Sequence, residues 1–441
     1  MDRRDFLKSA GIGAAAIGVA ACAPKNTEHL DVKSKHSGEP QGTMLQNYPG
    51  IGILGYGCMR WKMKKDENGK EIIDQDSVNE LVDYAIAHGV NYFDSAPVYL
   101  RGQSEEATAK ALLRHPREDY LIATKCSSFG FTGKDAYKMG YEMYQQSLKY
   151  YQTDHIDYYL LHSISGLQAF NERFGDCGLV DYFVEERAKG HIRNLGFSFH
   201  GDRKGFDDLL ALHDKYHWDF VQIQMNYVDW SEDAEYLYNE LDKREIPVVI
   251  MEPLLGGQLS SVPASIADEL KGRSPEDSIA SWAFRFVGSY PRVLTVLSGM
   301  TYMNHLKDNL FTYMDFKPCT EEDIAFLTEI GVKIRNYPLI GCTACQYCMP
   351  CPYGINIPGI FKFYNDSVNN ETYISSKEQE GYARARRKYL LEYDKAIPTV
   401  RQADHCIDCK QCMPRCPQHI RIPRELQRID KYIESLKQET L

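Results

Sequence analysis

Eight of the thirteen cysteines in this chain fall between positions 342 and 416, in two runs: Cys342-x2-Cys345-x2-Cys348-x2-Cys351-Pro352 and Cys406-x2-Cys409-x2-Cys412-x3-Cys416-Pro417. Three thiolates separated by two residues each can wrap one iron–sulfur cubane, each reaching a different iron, whereas disulfides between such close and regular partners would be strained. Paired Cys-x2-Cys motifs also build tetrahedral zinc sites. Zinc, however, needs neither the tripled spacing nor the prolines after Cys351 and Cys416. Cys58, Cys126, Cys177 and Cys319 have no ligand-type spacing and read as small buried hydrophobes.

A second set of reactive side chains sits at the ends of short apolar runs: Asp94, Lys125, His162, Ser198 and Gln222. The runs include Asn91-Tyr92-Phe93-Asp94, Tyr120-Leu121-Ile122-Ala123-Thr124-Lys125 and Ile156-Asp157-Tyr158-Tyr159-Leu160-Leu161-His162, with others at 51–58, 193–198, 220–224, 248–251 and 293–297. Apolar runs of this kind suit strands buried on both faces, and the helical patterns between them imply parallel crossovers. Eight strand–helix units over residues 50–315 match a (β/α)8 TIM barrel, whose catalytic groups stand at the C-terminal ends of the strands. A doubly wound sheet would open with a Gly-x-Gly-x-x-Gly turn, and none follows a strand here. The chain therefore divides into a leader and tether at 1–45, a barrel at 46–317 and a small, largely α-helical cysteine domain at 318–441.

The segments Gly52-Ile53-Leu54-Gly55-Tyr56-Gly57-Cys58-Met59-Arg60 and Phe93-Asp94-Ser95-Ala96-x2-Tyr99, with the runs ending in Lys125 and His162, resemble the aldo-keto reductases, including a branch with a C-terminal ferredoxin-like domain. That resemblance implies a catalytic set of Asp94, Tyr99, Lys125 and His162 and a small carbonyl or alcohol substrate. Tyr99 would give a proton to the developing alkoxide. A phenol of pKa about 10 needs a nearby cation to lower it, a part for Lys125, while Asp94 keeps that ammonium charged. His162 would orient the carbonyl oxygen. The family also binds NADP(H) or NAD(H) across the barrel mouth. The matching positions are Gly57, Cys58, Met59, Ser198, Gln222, Pro253, Leu254, Gly256, Gly257, Ser298, Gly299, Met300, His305, Asp308 and Asn309. Gln222 would hold the carboxamide, and Gly256 and Gly257 would let backbone approach the diphosphate. Two positions depart from the family pattern. Met251 stands where many members stack a Tyr on nicotinamide, and no Arg or Lys for a 2′-phosphate is evident, leaving His305 or Lys307 in that part.

The second cysteine run resembles bacterial ferredoxins in full, and the first closes one residue short. In such ferredoxins the fourth cysteine of each run serves the other cluster. The resemblance thus implies two [4Fe-4S] clusters, one on Cys342, Cys345, Cys348 and Cys416, the other on Cys406, Cys409, Cys412 and Cys351, together with a redox partner protein. An electron-transfer protein using the barrel as a scaffold is the alternative reading.

The N-terminus, Arg3-Arg4-Asp5-Phe6-Leu7-Lys8 followed by an apolar stretch to Ala21, resembles a twin-arginine leader, and Val19-Ala20-Ala21-Cys22 resembles a lipobox with Cys22 as the acylated residue. The apolar stretch is too short to span a bilayer. Export to the periplasm or the outer side of a membrane is expected, with membrane attachment only through that lipid. The formal charge of −10 and the lack of a basic stripe argue against nucleic acid. Residues 382–392 read as a basic helix, and residues 424–437 as a helix packing the cysteine domain.

Overall fold

The computed structural model describes residues 38–314 and 316–441, so the leader and Cys22 lie outside the described residues. Eight parallel strands close a barrel in chain order. They are Leu54–Gly57, Tyr92–Asp94, Leu121–Cys126, Ile156–Ile164, Ile192–Phe199, Phe220–Gln224, Val248–Met251 and Val293–Ser298. The first strand closes the ring, with Leu54 opposite Val296 on one side and Gly57 opposite Asp94 on the other. All eight expected runs become strands. The first is shorter than its run because Ile51 is taken by a bridge to Tyr48.

Tyr92, Tyr158, Leu160, Phe220, Val249 and Leu294 fill the barrel interior, and a larger shell of apolar side chains lies between strands and helices. Burying each such side chain contributes roughly 1.5–3 kcal/mol. An antiparallel hairpin, Met63–Lys65 with Glu71–Ile73, was not expected from the sequence. Its strands are three residues each, too short for alternation to show.

Two boundaries shift. The helix Glu321–Asn336, assigned by sequence to the cysteine domain, belongs to the barrel. A capping box starts it, Thr320 Oγ1 accepting from Asp323 N and Asp323 accepting from Thr320 N. Its buried face of Leu327, Ile330 and Ile334 joins the barrel core. Gly331 lets it approach so closely that a Cβ there would lie 2.3 Å from the Tyr227 carbonyl oxygen. At the other end Met44 is also in the barrel core, and Leu45 N donates to Tyr313 O.

The cysteine domain has its own core. Helices Ile357–Asn369, Tyr382–Ala396 and Ile422–Gln438 pack Ile360, Phe361, Tyr364, Tyr389, Leu426 and Ile429 together. Six of the run cysteines lean on that core. Each run feeds a helix by the same device: Cys351-Pro352 and Cys416-Pro417 both lead six residues on to an Ile-Pro pair that opens the helix. In the basic helix Arg386 donates to Leu436 O and pairs with Glu439, which ties the helix to the C-terminus. Among the described residues no helix is long and apolar enough to cross a membrane.

Candidate active site

The second strand ends in Asp94, Lys125 stands one residue before the end of the third, and His162 two residues before the end of the fourth. Lys125 is fully buried and donates to Asp94 Oδ1 at 2.5 Å and to Ser95 O at 2.8 Å. The same ammonium lies 4.8 Å from the centre of the Tyr99 ring, and that ring meets His162 edge to face at 5.8 Å. The four expected catalytic residues thus form one cluster. Burial raises the Asp94 carboxyl pKa, and the Lys125 charge opposes it.

Burial pushes the Tyr99 phenol well above its ordinary 10, with the Asp94 charge adding to the rise. The expected lowering by Lys125 is therefore outweighed in the resting site, and Tyr99 stands protonated. His162 is neutral, its pKa driven well below 6.5 by burial and by the charges of Lys125 and Arg173. Ser127 Oγ is 2.6 Å from its Nδ1, which leaves Nε2 facing the cavity. Nothing in the sequence singles out Ser127.

A cavity of about 820 Å³ opens over these residues, at the upper end of the range for ligand sites. Of the positions matched to nicotinamide contacts, Gly57, Met59, Ser198, Gln222, Pro253, Leu254, Gly256, Gly257, Ser298, Gly299, His305, Asp308 and Asn309 line it. Cys58 and Met300 do not. Both are turned into the core, where the carbonyl of Cys58 accepts from Ser104 Oγ and that of Met300 from Tyr56 Oη. Gln222 supplies the fit for a nicotinamide: its Oε1 is buried with no partner, an acceptor awaiting an amide N–H, while Nε2 touches Met251 Sδ at 3.5 Å. Lys307 is not available to a 2′-phosphate as it stands, being paired with Glu39 at 2.6 Å.

The two glycines have different reasons. Gly257, at φ 98°, has open space where a side chain would be, as backbone approached by a ligand requires. Gly256, at φ 70°, is instead pressed against the first cysteine loop, and a Cβ there would lie 2.3 Å from Thr343 Cα. That loop is fastened to the barrel mouth. Arg60 donates to Thr343 O, and Gln258 Nε2 to Cys342 O at 3.2 Å. Gln224 and Gln418 exchange amide hydrogen bonds at 2.9 and 3.2 Å. Cys342, Cys345 and Tyr347 line the cavity along with Tyr99 and His162, a convergence that no sequence spacing reveals.

The thiols gather in two sets. Cys342, Cys345 and Cys348 lie within electrostatic reach of Cys416, Cys406 and Cys412 within reach of Cys351 and Cys409, and Cys348 also feels Cys412 across the two sets. Cys351 therefore reaches the second run despite its shortened spacing. The first set lines a small cavity of its own beside Ile357, Phe361 and Ile422. Four soft donors around an apolar-walled space suit an iron–sulfur cubane.

Comparison with known proteins matches the barrel and the cysteine domain to two separate families. The Aldo/keto reductase family model matches residues 53–331, and the 4Fe-4S dicluster domain model matches residues 341–421. The chain is 24% identical over 304 residues to the uncharacterized oxidoreductase YqkF of Bacillus subtilis, covering 63% of this chain and 92% of that protein. It is 23% identical over 298 residues to the L-galactose dehydrogenase of Arabidopsis thaliana, covering 60% and 87%. Among solved structures, the holo form of the aldo-keto reductase AKR11C1 from Bacillus halodurans superposes with a TM-score of 0.52 at 21% identity, covering 66% of this chain and 96% of that one. An aldo-keto reductase from Klebsiella pneumoniae in complex with NADPH gives 0.51 at 21%, covering 64% and 91%.

Proposed function

The chain belongs to the aldo/keto reductase family and carries a C-terminal 4Fe-4S dicluster domain, and from that premise we propose that it interconverts a small carbonyl and its alcohol, with Tyr99 as the acid and base. The observation that carries this reading is the buried Lys125–Asp94 pair beneath the Tyr99 ring, with a neutral His162 at its edge. A bound nicotinamide supplies the hydride. Tyr99 gives its proton to the oxygen as negative charge develops there, and the Lys125 ammonium stabilises the phenolate left behind. His162, held by Ser127, donates from Nε2 to the same oxygen and fixes its position. Gln222 offers its unpartnered oxygen to the carboxamide. Lys307 is tied to Glu39 while His305 lines the cavity, and a titration with NAD(H) and NADP(H) decides which of the two binds better.

The test is Tyr99→Phe in the holoprotein. Turnover is expected to fall by about 10²–10⁴-fold with nicotinamide affinity unchanged. Unchanged turnover removes Tyr99 as the acid.

The alternative, an electron-transfer protein that uses the barrel as a scaffold, is favoured by one observation: Cys342 and Cys345 line the same cavity as Asp94, Tyr99 and His162 of the catalytic tetrad. Binding of neither nicotinamide would support it. The ligand sets proposed for the two clusters are Cys342, Cys345, Cys348 and Cys416, and Cys351, Cys406, Cys409 and Cys412. Export through the twin-arginine route, with acylation at Cys22, is proposed from the leader sequence. Loss of membrane attachment in Cys22→Ala would support the lipid anchor, and unchanged attachment would exclude it.

A further inference from the structure

The segment between Cys345 and Cys348 delivers a side chain to the centre of the barrel site. The Tyr347 hydroxyl lies 3.5 Å from His162 Nε2 and within electrostatic reach of the Tyr99 hydroxyl, and both side chains line the same cavity. Its ring packs edge to face against His162 at 6.4 Å and tilts against Phe129 at 6.2 Å. Tyr99 and His162 are the two groups that the proposed chemistry assigns to the carbonyl oxygen. An oxygen that accepts from both must stand within about 3 Å of each, and the Tyr347 oxygen stands 3.5 Å from His162 Nε2 on the side of the cavity that Tyr99 lines.

The loop does not rest there loosely. Thr343 is seated on Gly256, Arg60 and Gln258 hold the carbonyls of Thr343 and Cys342, and Thr343 is only 1% exposed. Tyr347 is thus fixed at its base, while the polar contact at its tip, to His162, is long.

We propose that Tyr347 gates the carbonyl site: the substrate oxygen and the Tyr347 hydroxyl compete for Tyr99 and His162, so substrate entry displaces a side chain anchored between Cys345 and Cys348. The inference rests on the tetrad reading above. It has a thermodynamic corollary. If occupancy of the barrel site moves Tyr347, and with it the environment of those two cysteines, then a change at the cysteines must alter substrate affinity by the same factor. A tyrosine present only to pack the domain interface would show neither effect.

Benzoate is a suitable probe, because its carboxylate oxygen can accept from Tyr99 and His162 and its ring can lie against Phe129. It would be titrated calorimetrically into the anaerobically purified holoprotein without nicotinamide. Benzoate is expected to bind about fivefold more tightly to Tyr347→Phe than to wild type, the equivalent of one hydrogen bond, and at least as tightly to Tyr347→Ala. It should also shift the EPR spectrum of one of the two reduced clusters in wild type and leave that of Tyr347→Ala unmoved. Equal affinities in all three proteins, with no EPR shift in wild type, overturn the gate. Should Tyr347→Ala lose iron, Tyr347→Phe and the wild-type EPR measurement decide. A Tyr99→Phe titration separates this idea from the one beneath it. Binding that depends on Tyr99 but not on Tyr347 removes the gate alone, and binding that depends on neither removes both.

Discussion

The two cysteine loops have one backbone and two surroundings. In the first, Ala344 and Gln346 flank Cys345 with φ of 52° and 65°; in the second, Asp408 and Lys410 flank Cys409 with φ of 58° and 61°. Left-handed residues on either side of the middle cysteine turn backbone N–H groups inward, a concavity suited to an anionic cluster. Each non-glycine residue held there costs on the order of 1–3 kcal/mol, so neither loop would keep this shape without something to hold. Their neighbours differ. Thr343 is buried against the barrel, whereas Ile407, at the equivalent place, is 62% exposed, and Cys409 is exposed where Cys345 faces the active-site cavity. The position that is Tyr347 in one loop is Gln411 in the other. The same loop backbone can thus serve two addresses, one facing the barrel and one facing solvent.

The largest effect that can break this comparison is loss of a cluster. Cys345→Ser and Cys409→Ser should each leave about half the iron, and Cys351→Ser should remove the same half as Cys409→Ser. Iron analysis with EPR checks this, and the contrary pairing for Cys351 would dissolve the two sets. Next comes accessibility. Ferricyanide added to the reduced protein should bleach it in two phases, the faster one absent from Cys409→Ser. A single phase would mean that the exposure of the second loop has no kinetic consequence.

The barrel side carries a pH dependence of its own. Glu105 is buried between Thr124 and Ser147, which donate to it at 2.6 and 2.7 Å, and burial pushes its pKa from 4.5 up to about 7. A carboxyl raised in this way stabilises the fold while protonated, and that contribution is lost as pH rises through 7. Wild type should therefore lose about 2 kcal/mol relative to Glu105→Gln between pH 5.5 and 8, read from melting of both proteins. A constant difference across that range would mean the carboxyl is not raised. The smallest effect expected is from Gln418→Ala, which breaks the amide exchange with Gln224. It should loosen docking of the cysteine domain by about 1 kcal/mol without changing iron content, visible as faster amide exchange at the barrel mouth. Unaltered exchange would show the pair to be incidental.

Much of this was legible in the sequence because parallel barrel strands are buried on both faces and so write themselves as unbroken apolar runs. Their polar ends placed Asp94, Lys125 and His162, and the tripled spacing marked the cysteines. What escaped depended on contacts between distant segments. Tyr347 and His162 are 185 residues apart, and a tyrosine between two ligand-type cysteines carries no mark of where its hydroxyl goes. Ser127 is one serine among many until the strand turns it toward His162. Cys58 and Met300 lie beside true lining residues, and only the direction of the side chain separates them. Residues 321–336 fell beyond the boundary expected at 317, and the packing of their helix on the barrel core is a contact between segments that the sequence does not display.

The seat of Thr343 on Gly256 bears on how such a protein could be taken apart. A chain ended after Asn336 would retain eight strands, the tetrad and Gln222, and by every local criterion would be a whole enzyme. Its mouth would nevertheless lack one wall, with Arg60, Gln224 and Gln258 each losing a partner. The barrel is not a portable cassette to which a cysteine domain was appended, and either module grafted onto a foreign partner would lose the wall that the other supplies.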